Sequence, residues 1–218
     1  ISILAKIKKN QNKFEAWDES ELPTVTLVVP AFNEADFIET KIANCKALRY
    51  PKDKLTLLFV ADGSSDETPQ LIAQHDDVKL LFAPPRKGKA AAINRAMKIV
   101  DSDIVVFNDA NTLLDEHTIL NLVQPFTDKK VAGASGEKQI IIRNEDGTNA
   151  KGEGLYWKYE SYLKRKDAEV ASVMGAAGEL IAFRTNMVTH LEEDTILDDF
   201  MMSLRMVEQG YKIAYVPE

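Results

Sequence analysis

The first half of the chain alternates short apolar runs with amphipathic stretches. Four of these runs predict buried strands: TVTLVV (24–29), LTLLFV (55–60), VKLLF (78–82) and DIVVF (103–107). The stretches between them have helical spacing of apolar residues and predict three helices, at 34–48, 66–74 and 89–100. Parallel strands need right-handed crossovers of about this length. The pattern therefore predicts an α/β fold with a mixed, mostly parallel central sheet flanked by helices.

The second half has a looser pattern. Its expected elements are a helix at about 116–124, a strand at 131–142, a turn at 145–147, an aromatic helix at 155–165, a strand at about 179–183, a helix at about 196–209 and a strand at 212–216. These elements predict a smaller α+β half, about 113–218, on the same sheet as the first half, about 24–112. Residues 1–23 are basic and polar, so we expect the folded domain to begin near Thr24.

Three of the predicted strands end in unusual polar clusters. These are Pro30-Ala31-Phe32-Asn33-Glu34, Ala61-Asp62-Gly63-Ser64-Ser65-Asp66 and Asn108-Asp109-Ala110-Asn111. In an open parallel sheet, ligands bind beyond the carboxyl ends of the strands. We therefore expect all three clusters to open onto one edge of the sheet.

Each cluster also has a purely structural interpretation. Asn33 is a natural N-cap, and Ser64 followed by Glu67 fits a capping box, so both loops could serve only to start helices. However, Asp62 and Asp109 would then place two carboxylates at the same sheet edge, where they repel each other without a cation or a hydrogen-bonding ligand. A nucleotide with a divalent metal ion supplies both.

The segment PPRKGKAAAINRA carries positive charge next to this edge. Arg86, Lys87 and Lys89 surround Gly88 at the predicted start of a helix, where backbone amides also favour anions. This loop could bind a diphosphate, or it could be a solvated basic turn. No GxxxxGK[ST] motif is present, which disfavours ATPase or kinase chemistry of that kind.

Composition limits the possible ligands. The 218 residues include 27 Lys and Arg against 34 Asp and Glu, for a net charge of −7 and a pI near 5.1, so we expect no nucleic-acid partner. Cys45 is the only cysteine and lies on the apolar side of a predicted helix, so we expect it in the core and no intrachain disulfide. The three histidines lack zinc-ligand spacing, which leaves hard metals with oxygen ligands.

The chain opens with ISILAKIKKN, a short apolar run followed by lysines. One interpretation is the end of a membrane helix leaving on the cytoplasmic side, where basic residues are enriched. The alternative is an ordinary basic start. No run reaches the roughly 20 residues that a bilayer span needs, so we expect this chain itself to be soluble.

Seven segments in order carry a resemblance to a known family: PAFNE, ADGSSD, RKGKAAAIN, NDAN, YWKYE, GAAGELIAFR and ILDDFMMSLRMVEQGYKIAYVPE. From 24 to 218 the chain resembles the family 2 glycosyltransferases. These are inverting enzymes with the Rossmann-like GT-A fold, and they include cellulose-synthase-like and hyaluronan-synthase-like membrane enzymes. The resemblance implies a nucleotide half and an acceptor half. It also implies a nucleotide-sugar donor, a saccharide or lipid-linked acceptor, and a location at the cytoplasmic face of the cell membrane through segments outside this chain.

The resemblance also implies donor contacts. Pro30, Ala31 and Glu34 match positions near the donor nucleoside, Asp62 matches the partner of the base, and Lys89 matches a residue near the base or phosphates. Asp109-Ala110-Asn111 resembles the D-x-D motif that holds Mg²⁺ or Mn²⁺ against the diphosphate. This chain departs from the pattern at Asn111, where a second Asp is common. Asn111 would then be a metal ligand directly or through water, or would bind the donor ribose.

On the acceptor side, Asp198 and Asp199 match an acidic pair whose second member is the catalytic base. Alternatively, Thr195 and Asp198 form a capping box in which both acids stabilise a helix start.

Aromatic and small residues are further acceptor-side candidates. Trp157, with its neighbours Tyr156, Tyr159 and Tyr162, could line the acceptor path or could pack into the core. Gly178 and Gly175 could allow close approach of the substrate or could be turn residues.

We therefore predict an inverting, metal-dependent transfer of a sugar from a UDP-linked donor to a hydroxyl acceptor. One rival is a sugar nucleotidyltransferase, which we expect to carry a glycine-rich basic loop after the first strand, where this chain has PAFNE. The other rival is a non-catalytic sugar-nucleotide-binding domain, which would not need Asp199.

Overall fold

The computed structural model describes residues 17–137, 179–192 and 198–217. Its strands are β1 (Val25–Ala31), β2 (Leu55–Asp62), β3 (Lys79–Ala83), β4 (Ile104–Asn108), β5 (Val131–Gly136), β6 (Leu180–Arg184) and β7 (Lys212–Val216). Its α-helices are α1 (Ala35–Lys46), α2 (Thr68–Ile72), α3 (Lys89–Met97), α4 (Thr118–Val123) and α5 (Asp198–Glu208).

All the described strands form one sheet of seven strands in the order β3-β2-β1-β4-β6-β5-β7. The first four strands are parallel, with β1 between β2 and β4. Strand β6 is antiparallel to both β4 and β5, and β7 pairs parallel with β5. The predicted mixed, mostly parallel sheet with a second half built onto it is confirmed.

Helices cover both faces of this sheet. One hydrophobic cluster joins the sheet to α1, α2 and α4 through residues such as Ile38, Ile72 and Ile119. The other joins the opposite face to α3 and α5 through residues such as Ile93 and Met202. The central strands read as continuous apolar runs because both of their faces are buried.

Most predicted boundaries agree with the structure within two residues. Helix α3 ends at Met97, three residues before its predicted end, and β5 ends at Gly136, one residue before the described range stops at 137. Helix α4 ends at Val123 and continues as a 3-10 turn over Gln124–Thr127, where Pro125 lacks the N–H that an α-helix needs. Cys45 is buried, as predicted. The predicted turn at 145–147 and the aromatic helix at 155–165 lie outside the described residues.

The proposed capping roles of Asn33, Ser64 and Glu67 are wrong. Asn33 has φ of 54° and precedes Glu34, which is the N-cap residue of α1, while Glu67 is the N-cap residue of α2; neither N-cap residue makes a side-chain cap hydrogen bond. The side chains instead join the two loops, since the backbone N–H of Asn33 donates to Ser64 Oγ at 3.2 Å and that of Ser65 donates to Asn33 Oδ1 at 2.9 Å. The loops after β1 and β2 therefore form one unit.

Residues before Thr24 already pack against the sheet domain. The indole N–H of Trp17 donates to the backbone oxygen of Val123 at 2.9 Å, and Leu22 is buried. Among the described helices, none combines the length and apolarity required to cross a bilayer.

Candidate functional site

A cavity of about 300 Å³ lies at the carboxyl ends of β1, β2 and β4. It is lined by Pro30, Ala31, Phe32, Glu34, Asp62, Arg86, Gly88, Lys89, Ala92, Asp109, Ala110 and Asn111. The structure thus brings together the three polar strand ends and the basic loop before α3. This is the sheet edge at which ligands bind in open α/β folds.

Asp62, the last residue of β2, anchors the basic loop. Its Oδ2 accepts hydrogen bonds from the backbone N–H groups of Lys87 at 2.8 Å and Gly88 at 2.7 Å. Its Oδ1 accepts a hydrogen bond from Arg95 of α3, also at 2.7 Å. Burial alone would raise the pKa of Asp62, but these donors outweigh burial and hold the pKa below its usual value. Asp62 is therefore a buried anion held by the loop that sequence analysis linked to a diphosphate.

Gly63 allows this loop to approach β2. Its φ is 70°, and a Cβ at this position would lie only 2.3 Å from the backbone nitrogen of Arg86. The Arg86 guanidinium lies 3.9 Å from the centre of the Phe32 ring, a cation–π contact across the cavity wall. Arg86 and Phe32 therefore join the basic loop to the end of β1.

Asp109, directly after β4, forms an ion pair with Lys89 in the first turn of α3. The Lys89 Nζ lies 2.8 Å from Asp109 Oδ1, and both side chains are about one-third exposed. Burial, and then the charges of Asp66 and Asp109, raise the pKa of Glu34. Glu34 is thus close enough to Asp66 and to Asp109 to be repelled by both, and Lys89 is the cation paired with Asp109.

The oxygen atoms around Asp109 suit a hard divalent cation whose coordination shell is completed by oxygen atoms of a bound ligand. Asp109 and Asn111 both line the cavity, and their carboxylate and amide oxygens are ligands that Mg²⁺ accepts. Across residues 17–137, 179–192 and 198–217, no group of three or more His, Cys, Asp or Glu is placed to hold a metal ion by itself. This donor set fits Mg²⁺ or Mn²⁺ bound through one carboxylate plus phosphate oxygens.

The acceptor-side candidates are only partly described. Asp198 and Asp199 lie in the first turn of α5, where the backbone oxygen of Asp199 accepts a hydrogen bond from Ser203 Oγ at 2.7 Å. Asp199 is not among the described residues that line the cavity. Trp157 and Gly178, together with Tyr156, Tyr159, Tyr162 and Gly175, lie outside the described residues.

Sequence reasoning missed three residues of this region. Phe32 and Arg95 were not assigned roles, although Arg95 follows Lys89 within the same amphipathic helix. Lys41 was missed despite a usable signal, since Ile38, Lys41, Ile42 and Cys45 have the spacing i, i+3, i+4, i+7 of a buried helix face. Lys41 is 0% exposed and donates to Asn108 Oδ1, next to Asp109.

Comparison with known sequences agrees with this arrangement. Residues 26–191 match the family described as Glycosyl transferase family 2. The chain is 28% identical over 220 residues to a poly-beta-1,6-N-acetyl-D-glucosamine synthase of Staphylococcus aureus, covering 97% of this chain and 52% of that protein. It is 24% identical to the probable glycosyltransferase YdaM of Bacillus subtilis, covering 92% of this chain and 51% of that protein. The chain thus spans about half the length of these relatives.

Solved structures show the same fold. The mannosyltransferase PcManGT of Pyrobaculum calidifontis, in complex with GDP-Man and Mn²⁺, superposes with a TM-score of 0.77 at 28% identity, over 98% of this chain and 60% of that chain. A glucosyl-3-phosphoglycerate synthase of Mycobacterium tuberculosis, in complex with Mn²⁺, UDP and phosphoglyceric acid, has a TM-score of 0.61 at 19% identity, over 93% of this chain and 73% of that chain. The predicted GT-A fold is confirmed by these matches.

Proposed function

The chain belongs to glycosyl transferase family 2, and we propose that it transfers a sugar from a UDP-linked donor to a hydroxyl acceptor with inversion at the anomeric carbon. The observation that carries this proposal is the cavity that unites Asp62, Lys89 and Asp109. The cavity combines a buried acid with a fixed orientation, a cation and an acid that is partly exposed to solvent. These three groups would bind the base, the phosphates and the metal ion of a nucleoside diphosphate.

The nucleoside would bind between the ends of β1 and β2. Pro30, Ala31 and Glu34 would lie beside the nucleoside, and Asp62 would accept the imide N–H of uracil. A carboxylate can accept about four hydrogen bonds. Asp62 accepts three from Lys87, Gly88 and Arg95, which leaves capacity for one more.

The diphosphate would lie over the start of α3, which offers the positive end of a helix together with Lys89 and Arg86. Lys89 is paired with Asp109 at 2.8 Å. We propose that Lys89 turns from Asp109 to the phosphates when the donor and its cation bind, so that neither charge is left unpaired.

Asp109 would hold Mg²⁺ or Mn²⁺, with Asn111 binding the ion directly, through water, or contacting the donor ribose. When bound, such an ion stabilises the negative charge on the departing diphosphate. The presence of Mn²⁺ with GDP-Man in the PcManGT structure, at 28% identity, supports the use of a divalent ion.

Asp199 would act as the general base at the start of α5, beside Asp198. Its carboxylate would take the proton of the acceptor hydroxyl as the oxygen attacks the anomeric carbon, and the bond from that carbon to the diphosphate oxygen would break. Attack on the face opposite the diphosphate inverts the configuration, so an α-linked donor would give a β-linked product. Trp157 and Gly178 would contact the acceptor.

The acceptor would be a saccharide or a lipid-linked saccharide. The S. aureus relative named for poly-beta-1,6-N-acetyl-D-glucosamine synthesis supports a role in polysaccharide or glycolipid assembly at the cell surface. We propose that the whole protein works at the cytoplasmic face of the cell membrane.

Isothermal titration of UDP with and without Mn²⁺ tests the donor site, with GDP as the comparison nucleotide. We expect UDP to bind more tightly than GDP, and Mn²⁺ to strengthen UDP binding in the wild type but not in Asp109→Ala. Without the ion, the diphosphate would face carboxylates directly. Equal UDP affinity in Mn²⁺ and in EDTA would contradict the metal assignment, and tighter GDP binding would contradict the UDP assignment.

A further inference from the structure

Lys41, in the middle of α1, is fully buried, which is rare for lysine unless the charge is paired. Its ammonium donates to Asn108 Oδ1 and to the backbone oxygen of Thr112, the latter at 2.5 Å. These two acceptors flank the segment that carries Asp109 and Asn111. Helix α1 therefore contacts both ends of the proposed metal-binding loop through the side chain of Lys41.

Asn108 extends this contact to the second half of the sheet. Its Nδ2 donates to Thr112 Oγ1 at 2.8 Å and to the backbone oxygen of Glu179, just before β6, at 2.5 Å. The backbone N–H of Asp109 donates to the same Glu179 oxygen at 3.2 Å. Hydrogen bonds at both Oδ1 and Nδ2 thus fix the orientation of the Asn108 side-chain amide, and Lys41 is the donor to Oδ1.

Thr112 closes the loop on itself. Its Oγ1 donates to the backbone oxygen of Asp109 at 3.1 Å. One turn further along α1, Asn44 makes two hydrogen bonds with the backbone of Leu114, at 2.8 and 2.9 Å. Helix α1 therefore holds the chain on both sides of Thr112, with Lys41 nearer to Asp109 and Asn44 farther from it.

We propose that Lys41 is a positioning residue for the donor site: by holding Asn108 and Thr112, it sets the backbone of the loop that presents Asp109 and Asn111 to the metal–diphosphate. This inference rests on the proposed function, because it assumes that Asp109 binds the ion. The role needs a donor rather than a bulky side chain. An apolar residue at position 41 would fill the space but would leave the buried Oδ1 of Asn108 and the partly buried oxygen of Thr112 without this donor.

The test compares Lys41→Met with Ile42→Ala, a neighbouring substitution in the core. The affinity of Mn²⁺ for the UDP-saturated protein is measured by electron paramagnetic resonance of free Mn²⁺, and the melting temperature is measured without metal. We expect Lys41→Met to weaken Mn²⁺ binding by about 10-fold or more, since groups that orient metal ligands commonly contribute this much. Ile42→Ala should lower the melting temperature while keeping the Mn²⁺ affinity.

A double variant, Lys41→Met with Asn108→Leu, separates folding from positioning. Leucine at position 108 removes the unpaired Oδ1 but also the amide that donates to Thr112 Oγ1 and to the Glu179 oxygen, so we expect the melting temperature to recover only part of the loss seen in Lys41→Met. Its Mn²⁺ affinity should stay low, because the oxygen of Thr112 still lacks its donor. Wild-type Mn²⁺ affinity in both Lys41 variants, or a loss that only follows melting temperature as in Ile42→Ala, would overturn the inference.

Asp109→Ala distinguishes this inference from the proposed function. If Asp109→Ala retains Mn²⁺-dependent UDP binding, the proposed metal site is wrong, and the role of Lys41 fails with it. If Asp109→Ala loses that binding while both Lys41 variants keep it, the metal site stands and only the positioning role is wrong.

Discussion

At the scale of single residues, Asp62 and Asp109 occupy equivalent places at strand ends but have different surroundings. Asp62 is 4% exposed and bound by three donors, whereas the side chain of Asp109 is 32% exposed and pairs with Lys89. A buried acid whose pKa is held low stays charged at neutral pH, and the three donors fix its orientation. Asp62 is therefore suited to a directed hydrogen bond, and Asp109 to exchange of one cation for another.

Asp62→Ala should lower UDP affinity by about 1–3 kcal/mol, the cost of leaving a buried polar partner unpaired. The loss for inorganic pyrophosphate with Mn²⁺ should be smaller, because pyrophosphate lacks the base. Calorimetry with both ligands checks this. Arg95→Met is the matched control, since it removes one donor to Asp62 but keeps the acid. Equal losses for UDP and pyrophosphate would mean that Asp62 acts only by holding the basic loop.

The sequence was sufficient to locate these acids but not their partners. Asp62 and Asp109 follow apolar runs, so strand periodicity alone places them at one sheet edge. The pairing of Asp62 with Arg95 joins residues on two elements whose relative position depends on packing. Lys41 lies on a buried helix face by its spacing, but only the structure identifies Asn108 and Thr112 as its partners.

At the scale of elements, the segment after β2 caps the starts of two helices, α1 and α2. The Asp66 carboxylate accepts from the backbone N–H of Ala35 at the start of α1 and from that of Thr68 at the start of α2, both at 3.1 Å. Thr68 Oγ1 in turn accepts from the backbone N–H of Glu34 at 2.9 Å. Capping rules consider one helix at a time, so they selected Asn33 and Ser64 instead.

Asp66→Ala should reduce the free energy of unfolding by about 0.5–2 kcal/mol, the usual cost of losing an N-cap. Glu67→Ala is the control, because Glu67 is the N-cap residue of α2 but its side chain makes no cap hydrogen bond. Chemical denaturation of both variants checks the difference. Equal stability of the two variants would show that the cap shared by α1 and α2 does not contribute to the free energy of unfolding.

The same substitution has a predictable pH dependence. Burial would raise the pKa of Asp66, but hydrogen bonds from Thr68 and Ala35 outweigh burial and lower it from 3.8. A carboxyl whose pKa is lower in the folded state than in the unfolded state stabilises the fold at pH values above the unfolded-state pKa. This stabilisation is lost as the pH falls towards the folded-state pKa. The stability gap between wild type and Asp66→Ala should therefore narrow as pH drops below 3.8.

At the scale of the whole molecule, one sheet connects the two halves. Strand β6 lies between β4 and β5 and is antiparallel to both, so Glu179, directly before β6, lies at the end of β4 beside Asp109. The alternating pattern of the first half predicted its parallel strands. The placement of β6 could not be predicted in the same way, because strand order depends on pairing between segments far apart in sequence. Strands from both halves of the chain therefore belong to one sheet, and the proposed base lies on a helix packed against that sheet.

Because Asp199 is not among the described residues that line the donor cavity, we expect Asp199→Asn to reduce sugar transfer without weakening UDP binding. The substitution keeps side-chain size but removes the proton acceptor, so transfer should fall by roughly 10²–10⁴, while UDP affinity and melting temperature stay at wild-type values. If the acid only stabilises the start of α5, the variant should instead lose about 0.3–1 kcal/mol of stability and keep its activity. Sugar transfer, UDP affinity and melting temperature are measured together, with Asp198→Asn as the neighbouring variant. Transfer by Asp199→Asn close to the wild-type rate, on an acceptor that the wild type uses, would place the base elsewhere in the chain.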